Sequence, residues 1–499
     1  MIDFSKQKVR EQLFGDEDAL KDDASRLRAY YFKGEAYQQV ISDEKLCLLV
    51  GYKGTGKSAL LRVACNEEID AGKPAISINA YDFDSSSLPS SGSNDLASHV
   101  RDWKKRLSEK IIDSAFRCLE IRGKTLMDFN KGFKEEGYTD EDISYYLKLK
   151  FEQAKENLPS DSSRRLLNSF LEDGKLSVYI DEIDTLWSGK IEDINNISAL
   201  LIASRDIISQ KNLGLSFKIA LRPDIYRIVK TSTAHGDKIE GSVVWQSWQP
   251  HEILVLLVKR ILTFEQQSVD EQELLHKSQH NLTNDYLSKI MGEKFIGKGA
   301  WAGSDGTGIP MHQFLLSVIR NRPRDMVKLC TAAAKQAGTS NAQRISTSHF
   351  DKVLAAYSSN RLEDTIAEYE GELPKIKNLL LNMAPEGRTS VAKESYLYTT
   401  ESLRKKIKQI TIYQFKFADG SVAKDDDLIA FMYKIGFLTA TSRSGDGEPL
   451  IRQYFEVNQY LSASVDFGFD WEIHPAFRWA LQPRDLDSIL STIEPVRSQ

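Results

Sequence analysis

The chain has 499 residues, which is too long for one ordinary hydrophobic core, so the sequence predicts two to four domains. A hydrophobic content of 41% and a charged content of 27% are typical of a soluble globular protein. The net charge of −5 and the pI near 6.0 exclude a basic field over the whole surface. Nucleic acid would therefore have to bind through a local basic patch.

The cysteines and the N-terminus indicate the compartment. The four cysteines are scattered, with no spacing typical of a metal site, and predict buried free thiols in a reducing cytosol. The first twenty residues lack the apolar core of a signal peptide. No apolar run approaches the roughly 20 residues of a membrane span. We therefore expect a cytoplasmic protein without a membrane anchor.

The first half of the chain predicts an α/β domain. Residues 1–44 predict a helical lead-in, and strand candidates then alternate with helical patterns from 45 to 235. Such alternation is typical of a parallel sheet. The interval at about 95–172 predicts a helical insertion between the second and third strands. The strand candidates are 45–50, 74–81, 175–184 and 215–224.

The second half predicts helices and then a smaller mixed domain. The strands are expected to stop near 236, and residues 236–345 predict a helical lid. Residues 346–499 predict a connecting helix followed by a winged-helix-like domain, because helix, strand, turn and strand patterns succeed one another from 425 to 457. The predicted helices of this half are 251–264, 311–337 and 349–369, and a glycine-rich loop is expected at 295–308.

The segment LLVGYKGTGKSALLRVA predicts a phosphate-binding loop between a strand and a helix. Its glycines let backbone N–H groups turn inward toward phosphate oxygens, and the following helix adds its N-terminal dipole. Lys57 is expected to reach the β- and γ-phosphates, and the Ser58 hydroxyl to bind Mg²⁺. The predicted nucleotide-binding residues here are Gly51, Tyr52, Lys53, Gly54, Thr55, Gly56, Lys57, Ser58 and Ala59.

Acidic residues end the third strand candidate. In the segment SVYIDEID, Asp181 is expected to hold the Mg²⁺ shell and Glu182 to polarise the attacking water. A turn or helix-capping role for these acids is the alternative. Asp184 is either a partner of this pair or a helix cap.

One single arginine and one cluster of three arginines are candidate phosphate sensors. Arg222 follows the fourth strand candidate and would lie beside the strand of Asp181, where it could contact the γ-phosphate or pair with Asp224. Arg320, Arg322 and Arg324 crowd a predicted helix start, which opposes the helix dipole unless an anion lies nearby. That anion is either nucleotide phosphate or local acidic side chains.

Together these motifs resemble the AAA+/STAND-type P-loop ATPases, close to the initiator-like branch. More narrowly, GYKGTGKSAL, YIDEID, LRPDIY and RPRDM resemble a group of bacterial P-loop ATPases often linked to anti-phage defence. The resemblance implies an α/β P-loop NTPase core with a parallel sheet, a helical insertion, an α-helical lid and a C-terminal winged-helix-like domain. It covers about residues 10–370 and is weaker beyond them.

The resemblance also implies roles for individual residues. Gly51–Ser58 becomes the Walker A motif, Asp181–Glu182 the Walker B motif and Arg222 the sensor 1 position, with Arg322 or Arg324 near sensor 2. It implies ATP and Mg²⁺ as cofactors and a homo-oligomer or a separate effector protein as partner. An arginine at sensor 1 is nearer the STAND pattern and favours a switch over a processive motor. Arg205 and Arg227 are candidates for an arginine finger acting on a neighbouring subunit, although an ordinary surface arginine is the favoured interpretation of each.

The partner of the C-terminal domain stays open between protein and DNA. Its predicted helix opens with Asp425, Asp426 and Asp427, which would repel DNA phosphates. The segment SLRKKIKQI (402–410) is basic and could track a phosphate backbone, but a solvated helix face is the favoured interpretation. The sequence thus leaves three functions: an ATP-hydrolysing switch, an initiator-like DNA-remodelling ATPase, or a scaffold that holds nucleotide without turnover.

Overall fold

A computed structural model gives the fold, and its contacts divide the chain into two compact units. One unit is Ala19–Gln246, and the other combines Met1–Asp18 with Ser247–Gln499. The first is called the sheet unit here and the second the helical unit. The structure describes all residues except 1, 17–18, 20, 80–82, 84–94, 185–186, 188–189, 210–213, 233–238, 298, 304, 386–392, 412–413, 443–449, 459–460, 462–464, 467, 483–488 and 496–499.

The sheet unit is built on five parallel strands. Their order across the sheet is β2-β3-β4-β1-β5, so β4 lies between β1 and β3. All five residues of β1 are buried, as expected for a parallel strand covered on both faces. The strands are β1 Leu46–Val50, β2 Ala75–Asn79, β3 Lys175–Asp181, β4 Gly214–Leu221 and β5 Val243–Trp245.

The prediction that strands stop near 236 was wrong, because β5 pairs with β1 at Val243–Trp245. Three residues are too few to show a strand period in the sequence. The insertion between β2 and β3 is helical, and most of its described aromatic side chains belong to the core of this unit. The helices here are α2 Ala24–Tyr30, α3 Glu35–Val40, α4 Lys57–Asp70, α5 Leu96–Cys118, α6 Gly123–Glu135, α7 Ile143–Ala154, α8 Asp161–Asp173, α9 Ile191–Ser209 and α10 Pro223–Ser232.

The helical unit begins with the N-terminal helix α1, Gln7–Phe14. This helix buries Leu13 and Phe14 completely and packs against helices that begin at Pro250 and Pro323. The expected lead-in of 1–44 is therefore shared between the two units. The next helices are α11 Pro250–Phe264, α12 Glu271–His276, α13 Gln279–Asp285, α14 Met311–Val318, α15 Pro323–Thr339, α16 Thr347–Tyr369 and α17 Ile376–Leu381.

The helical segment expected at 311–337 consists of two helices, since α14 ends at Val318 and α15 begins at Pro323, at the helix start predicted beside the three arginines. Proline at the first helical position has no N–H to donate and starts a helix readily. The glycine-rich segment lies between two short antiparallel strands, β6 Lys294–Phe295 and β7 Ile309–Pro310.

The C-terminal part of the helical unit contains a four-stranded antiparallel sheet of order β10-β9-β11-β8. The predicted turn falls at 443–449, outside the described residues. The elements are β8 Leu397–Tyr398, α18 Thr400–Ile410, α19 Asp425–Lys434, β9 Leu438–Ser442, β10 Ile451–Gln453, β11 Asp470–Ile473 and α20 Arg478–Leu481. Among the described residues, no helix is both long and apolar enough to cross a membrane.

Candidate nucleotide-binding site

The segment from Gly51 to Gly56 connects β1 directly to α4, as the motif predicts. Gly54 and Gly56 have φ angles of 87° and 91°, a backbone region that favours glycine. Gly56 caps α4, so Lys57 and Ser58 stand in the first turn of the helix. This places the first backbone N–H groups of α4 beside the loop, an arrangement suited to an anion.

Side chains within the loop stabilise its turn. The Thr55 hydroxyl donates to the Tyr52 carbonyl at 2.8 Å, and both residues are buried. The Lys57 ammonium donates to the carbonyls of Gly51 at 2.6 Å and Tyr52 at 3.2 Å. Lys53 is exposed, while Ser58 and Ala59 are half-buried at the helix start.

The two predicted carboxylates stand at the end of β3. Asp181 is 8% exposed, and its Oδ1 accepts a hydrogen bond from the Glu182 N–H at 2.8 Å. Glu182 has a φ of 59°, which is uncommon for a residue with a side chain and costs free energy. This left-handed residue ends the strand and turns the chain sharply between the two acids.

Arg222 follows β4 and so lies beside the strand of Asp181, as the expected topology requires. Its guanidinium forms a bidentate ion pair with Asp224, at 3.1 Å from Nε and 2.7 Å from Nη2. The Asp184 carboxylate lies 3.9 Å from the same Nε. Asp224 is 2% exposed, so Arg222 is held by a buried carboxylate.

Asp184 links the two predicted motifs electrostatically. Burial raises the pKa of its carboxyl group, and the charges of Lys57 and Arg222 act in the opposite direction. Asp224 raises the pKa further. The sheet thus brings the loop lysine, the residues after β3 and the arginine after β4 into one site.

The donor set at this site fits Mg²⁺. Within the described ranges there is no group of three or more His, Cys, Asp or Glu side chains that could hold a metal ion. Mg²⁺ usually binds through one or two carboxylates together with substrate phosphates and water. Ser58 in the first turn of α4 carries a hydroxyl and Asp181 at the end of β3 carries a carboxylate, which are donor types that such a shared site uses.

The three clustered arginines differ in their surroundings within the helical unit. Arg320 is 6% exposed and Arg322 is 3% exposed, whereas Arg324 is half-buried in the first turn of α15. Arg320 pairs with Asp325. A side chain added at Gly436 would come within 3.6 Å of Arg322 Nη2, which shows that Arg322 packs against the C-terminal part of this unit.

The two candidate fingers are partly exposed. Arg205 on α9 is 25% exposed and lies 3.6 Å from the Asp206 carboxylate, and Arg227 on α10 is half-buried.

Two polar residues that the sequence did not reveal also adjoin the site. Asn79 ends β2 directly opposite Asp181, and Gln246 follows β5 beside the loop. Neither has a local motif, because each reaches the site through strand pairing.

Comparison with known proteins finds one matching family profile and a curated relative. A family profile described as "FunZ-associated C-terminal helical domain" matches residues 301–366. The "Putative transposon gamma-delta 80.3 kDa protein" of Escherichia coli K12 is 26% identical over 393 residues, covering 73% of this chain. The match covers 52% of that relative, so the chain spans about half the length of the curated relative it matches.

Two solved structures are similar over most of both chains. The Walker-type ATPase PABY2304 of Pyrococcus abyssi is 14% identical with a TM-score of 0.40, covering 86% of this chain and 95% of that one. The ORC2 protein of Aeropyrum pernix, in ADPNP–ADP complexes, is 11% identical with a TM-score of 0.41, covering 90% and 88%. In this chain the structure shows a parallel sheet, a glycine-rich loop between β1 and α4, and acids at the end of β3.

Proposed function

We propose that this protein binds and hydrolyses ATP with Mg²⁺, and that its nucleotide state controls its own assembly or a separate effector protein. The observation that carries the proposal is the meeting of Lys57, Asp184 and Arg222 at the carboxyl ends of β1, β3 and β4. Asp181 and Glu182 stand at the same edge. Ligands of parallel α/β sheets bind at this edge.

In the proposed reaction each side chain has a separate task. Lys57 leaves the loop carbonyls and binds the β- and γ-phosphates, whose charge is the stronger attraction. Ser58 and Asp181 would hold Mg²⁺, which when bound neutralises charge on the phosphates. Glu182 orients the attacking water and accepts its proton. Arg222, fixed by Asp224, stabilises the charge that develops on the γ-phosphate.

Of the three clustered arginines in the helical unit, Arg324 is the best candidate for a phosphate sensor. Arg320 and Arg322 are buried within the helical unit, and Arg320 is held by an ion pair. Arg324 is half-buried at a helix start, where a phosphate would offset its unfavourable position on the helix dipole. A sensor on this helix is consistent with the proposed switch.

The contacts of the C-terminal part favour a protein partner over DNA. Helix α19 opens with three aspartates, and five of its remaining seven side chains are buried, so little of it is left to enter a groove. Arg404 of the basic segment pairs with Asp426 and Asp466 rather than standing alone. A winged-helix-like domain built in this way suits protein contact. The setting in anti-phage defence rests on the sequence resemblance alone, and the cytoplasmic location rests on the scattered cysteines and on the composition of the first twenty residues.

The proposal is tested by the ATP hydrolysis rate as a function of protein concentration, with Glu182→Gln as the catalytic control. We expect a rate per molecule that rises with concentration, because a neighbouring subunit supplies an arginine, and no turnover in the variant. Glu182→Gln should still bind Mg·ATP. Tight ATP binding with no turnover at any concentration would instead favour the scaffold function. No ATP binding by the wild type would reject both.

A further inference from the structure

Gln246 connects the end of the sheet unit to the nucleotide loop. It is the last residue of that unit and follows β5. Its backbone N–H donates to the Val50 carbonyl at 2.8 Å, and its side-chain Nε2 donates to the Thr55 carbonyl at 3.4 Å. One residue therefore contacts the chain just before the loop and a second point inside the loop.

Gln246 also packs closely on Gly51, the first glycine of the loop. A Cβ atom added to Gly51 would lie 3.0 Å from Gln246 Cβ, 3.0 Å from its carbonyl oxygen and 2.8 Å from Thr55 Oγ1. Real Cβ atoms rarely approach other atoms so closely. The glycine at 51 is therefore explained by the close approach of Gln246 and Thr55.

The side chain of Gln246 is poorly satisfied by its hydrogen bonds. The residue is 5% exposed, and its Oε1 is buried without a hydrogen-bond partner among the described residues. The single Nε2 bond, at 3.4 Å, is longer than the usual range. An unsatisfied buried acceptor costs free energy, and a methionine of similar shape would avoid this cost. Packing alone does not explain a glutamine here.

We propose that Gln246 is a positioning residue for the nucleotide loop, which its amide holds in the phosphate-binding conformation. The inference rests on the proposed function. When Lys57 turns toward phosphate, the carbonyls of Gly51 and Tyr52 lose the ammonium donor. The Nε2 bond to the Thr55 carbonyl then remains as the side-chain contact through which Gln246 holds the loop.

The test compares Gln246→Met with a matched control, Gln279→Met. Gln279 is also 5% exposed and also has a buried Oε1 without a partner in the described part of the chain, but it belongs to the helical unit. The measurements are the Kd of Mg·ATP by calorimetry, kcat at saturating ATP, and the urea unfolding midpoint without nucleotide. Each variant loses the same amide from a buried position.

For Gln246→Met we expect a Kd about tenfold higher, equivalent to one lost hydrogen bond, with an unfolding midpoint equal to or above that of the wild type. Gln279→Met should leave the Kd unchanged. A Kd for Gln246→Met equal to that of the wild type overturns the inference while the proposed function stands. A wild type that binds no Mg·ATP overturns both. If Gln246→Met does not fold, Gln246→Asn is measured with the same expectation, because its amide is too short to reach Thr55.

Discussion

Arg320 and Asp325 form a bidentate ion pair inside the helical unit, with distances of 2.7 and 3.1 Å from Nε and Nη2 to the carboxylate oxygens. Asp325 is 1% exposed, and Arg361 on α16 donates to the same carboxylate at 2.8 Å. Burial raises the pKa of Asp325, but Arg320 and Arg361 lower it below its ordinary value. One carboxylate thus joins the start of α15 to α16.

Asp325→Asn should lower the free energy of unfolding by about 3–5 kcal/mol, because it leaves two buried guanidinium groups without their shared counter-charge. Asp426→Asn is the matched control, since Asp426 also pairs with an arginine but is 51% exposed on its side chain. The control should cost about 0–1 kcal/mol. Urea unfolding measures both variants. Equal losses would contradict a dominant role for the buried cluster.

His312 on α14 predicts that stability falls as the solution becomes acidic. Its side chain is completely buried, and burial, together with the nearby His280, lowers its pKa to about 4. Because the unfolded state binds a proton near pH 6.5 and the folded state does not, stability is full above that pH. As pH falls from about 6.5 to about 4, the contribution of His312 to stability is lost, and below the folded-state pKa no further loss occurs.

The expected loss from His312 is about 2 kcal/mol between pH 7 and pH 5. His312→Gln should flatten this part of the profile of unfolding free energy against pH. His276→Gln, at an exposed position, is the control and should keep the wild-type slope. A slope unchanged in His312→Gln would show that other groups govern the acid sensitivity.

The sequence predicted the parts of the site that are contiguous in the chain. The glycines and Lys57 of the loop, and the acids after β3, form motifs whose flanking strand and helix have their own periodicity. The position of Arg222 also followed, because consecutive strands of a parallel sheet are usually neighbours. Each of these features depends on short-range patterns or on one rule of topology.

The features that the sequence did not predict depend on distant contacts. Gln246 follows a three-residue strand that pairs with β1 nearly two hundred residues away. The sequence predicted that an anion lies near Arg320. It did not predict that Asp325 is this anion or that Arg361 shares it, because both contacts depend on the packing of α15 on α16. No propensity or motif encodes such pairings, since many acids and bases along the chain are equally suitable in charge.

Asp224→Asn should lower kcat by about 10²-fold with little change in ATP affinity. The substitution weakens the bidentate pair that fixes Arg222, and a misplaced catalytic cation loses contact mainly with the transition state. Steady-state kinetics and nucleotide calorimetry separate the two effects. Asp113→Asn, which removes the partner of Arg117 on α5 in the same unit, is the matched control. A parallel loss of ATP affinity would instead assign Asp224 to loop stability.

Asp184 should set the acid limb of the hydrolysis profile. Burial raises the pKa of this carboxyl group above its ordinary value, so it gains a proton as pH falls before an exposed aspartate would. Its protonation removes the negative charge near Lys57 and Arg222. Asp184→Asn is expected to lower kcat at neutral pH and to make the acid limb shallower. A profile with an unchanged limb would exclude Asp184 as the titrating group.

The C-terminal part of the helical unit should bind duplex DNA weakly or not at all, even at low salt. The exposed lysines of α18, Lys405 and Lys408, stand near Arg404, whose charge is already paired with Asp426 and Asp466. Phosphate contacts depend on unpaired cations and weaken steeply with salt. Fluorescence anisotropy with a labelled duplex, at low and physiological salt and with and without Mg·ATP, measures the interaction. Salt-sensitive binding that Lys405→Glu/Lys408→Glu abolishes would restore the DNA-remodelling function. Binding that survives the double substitution would instead move the DNA contact to another surface of the chain.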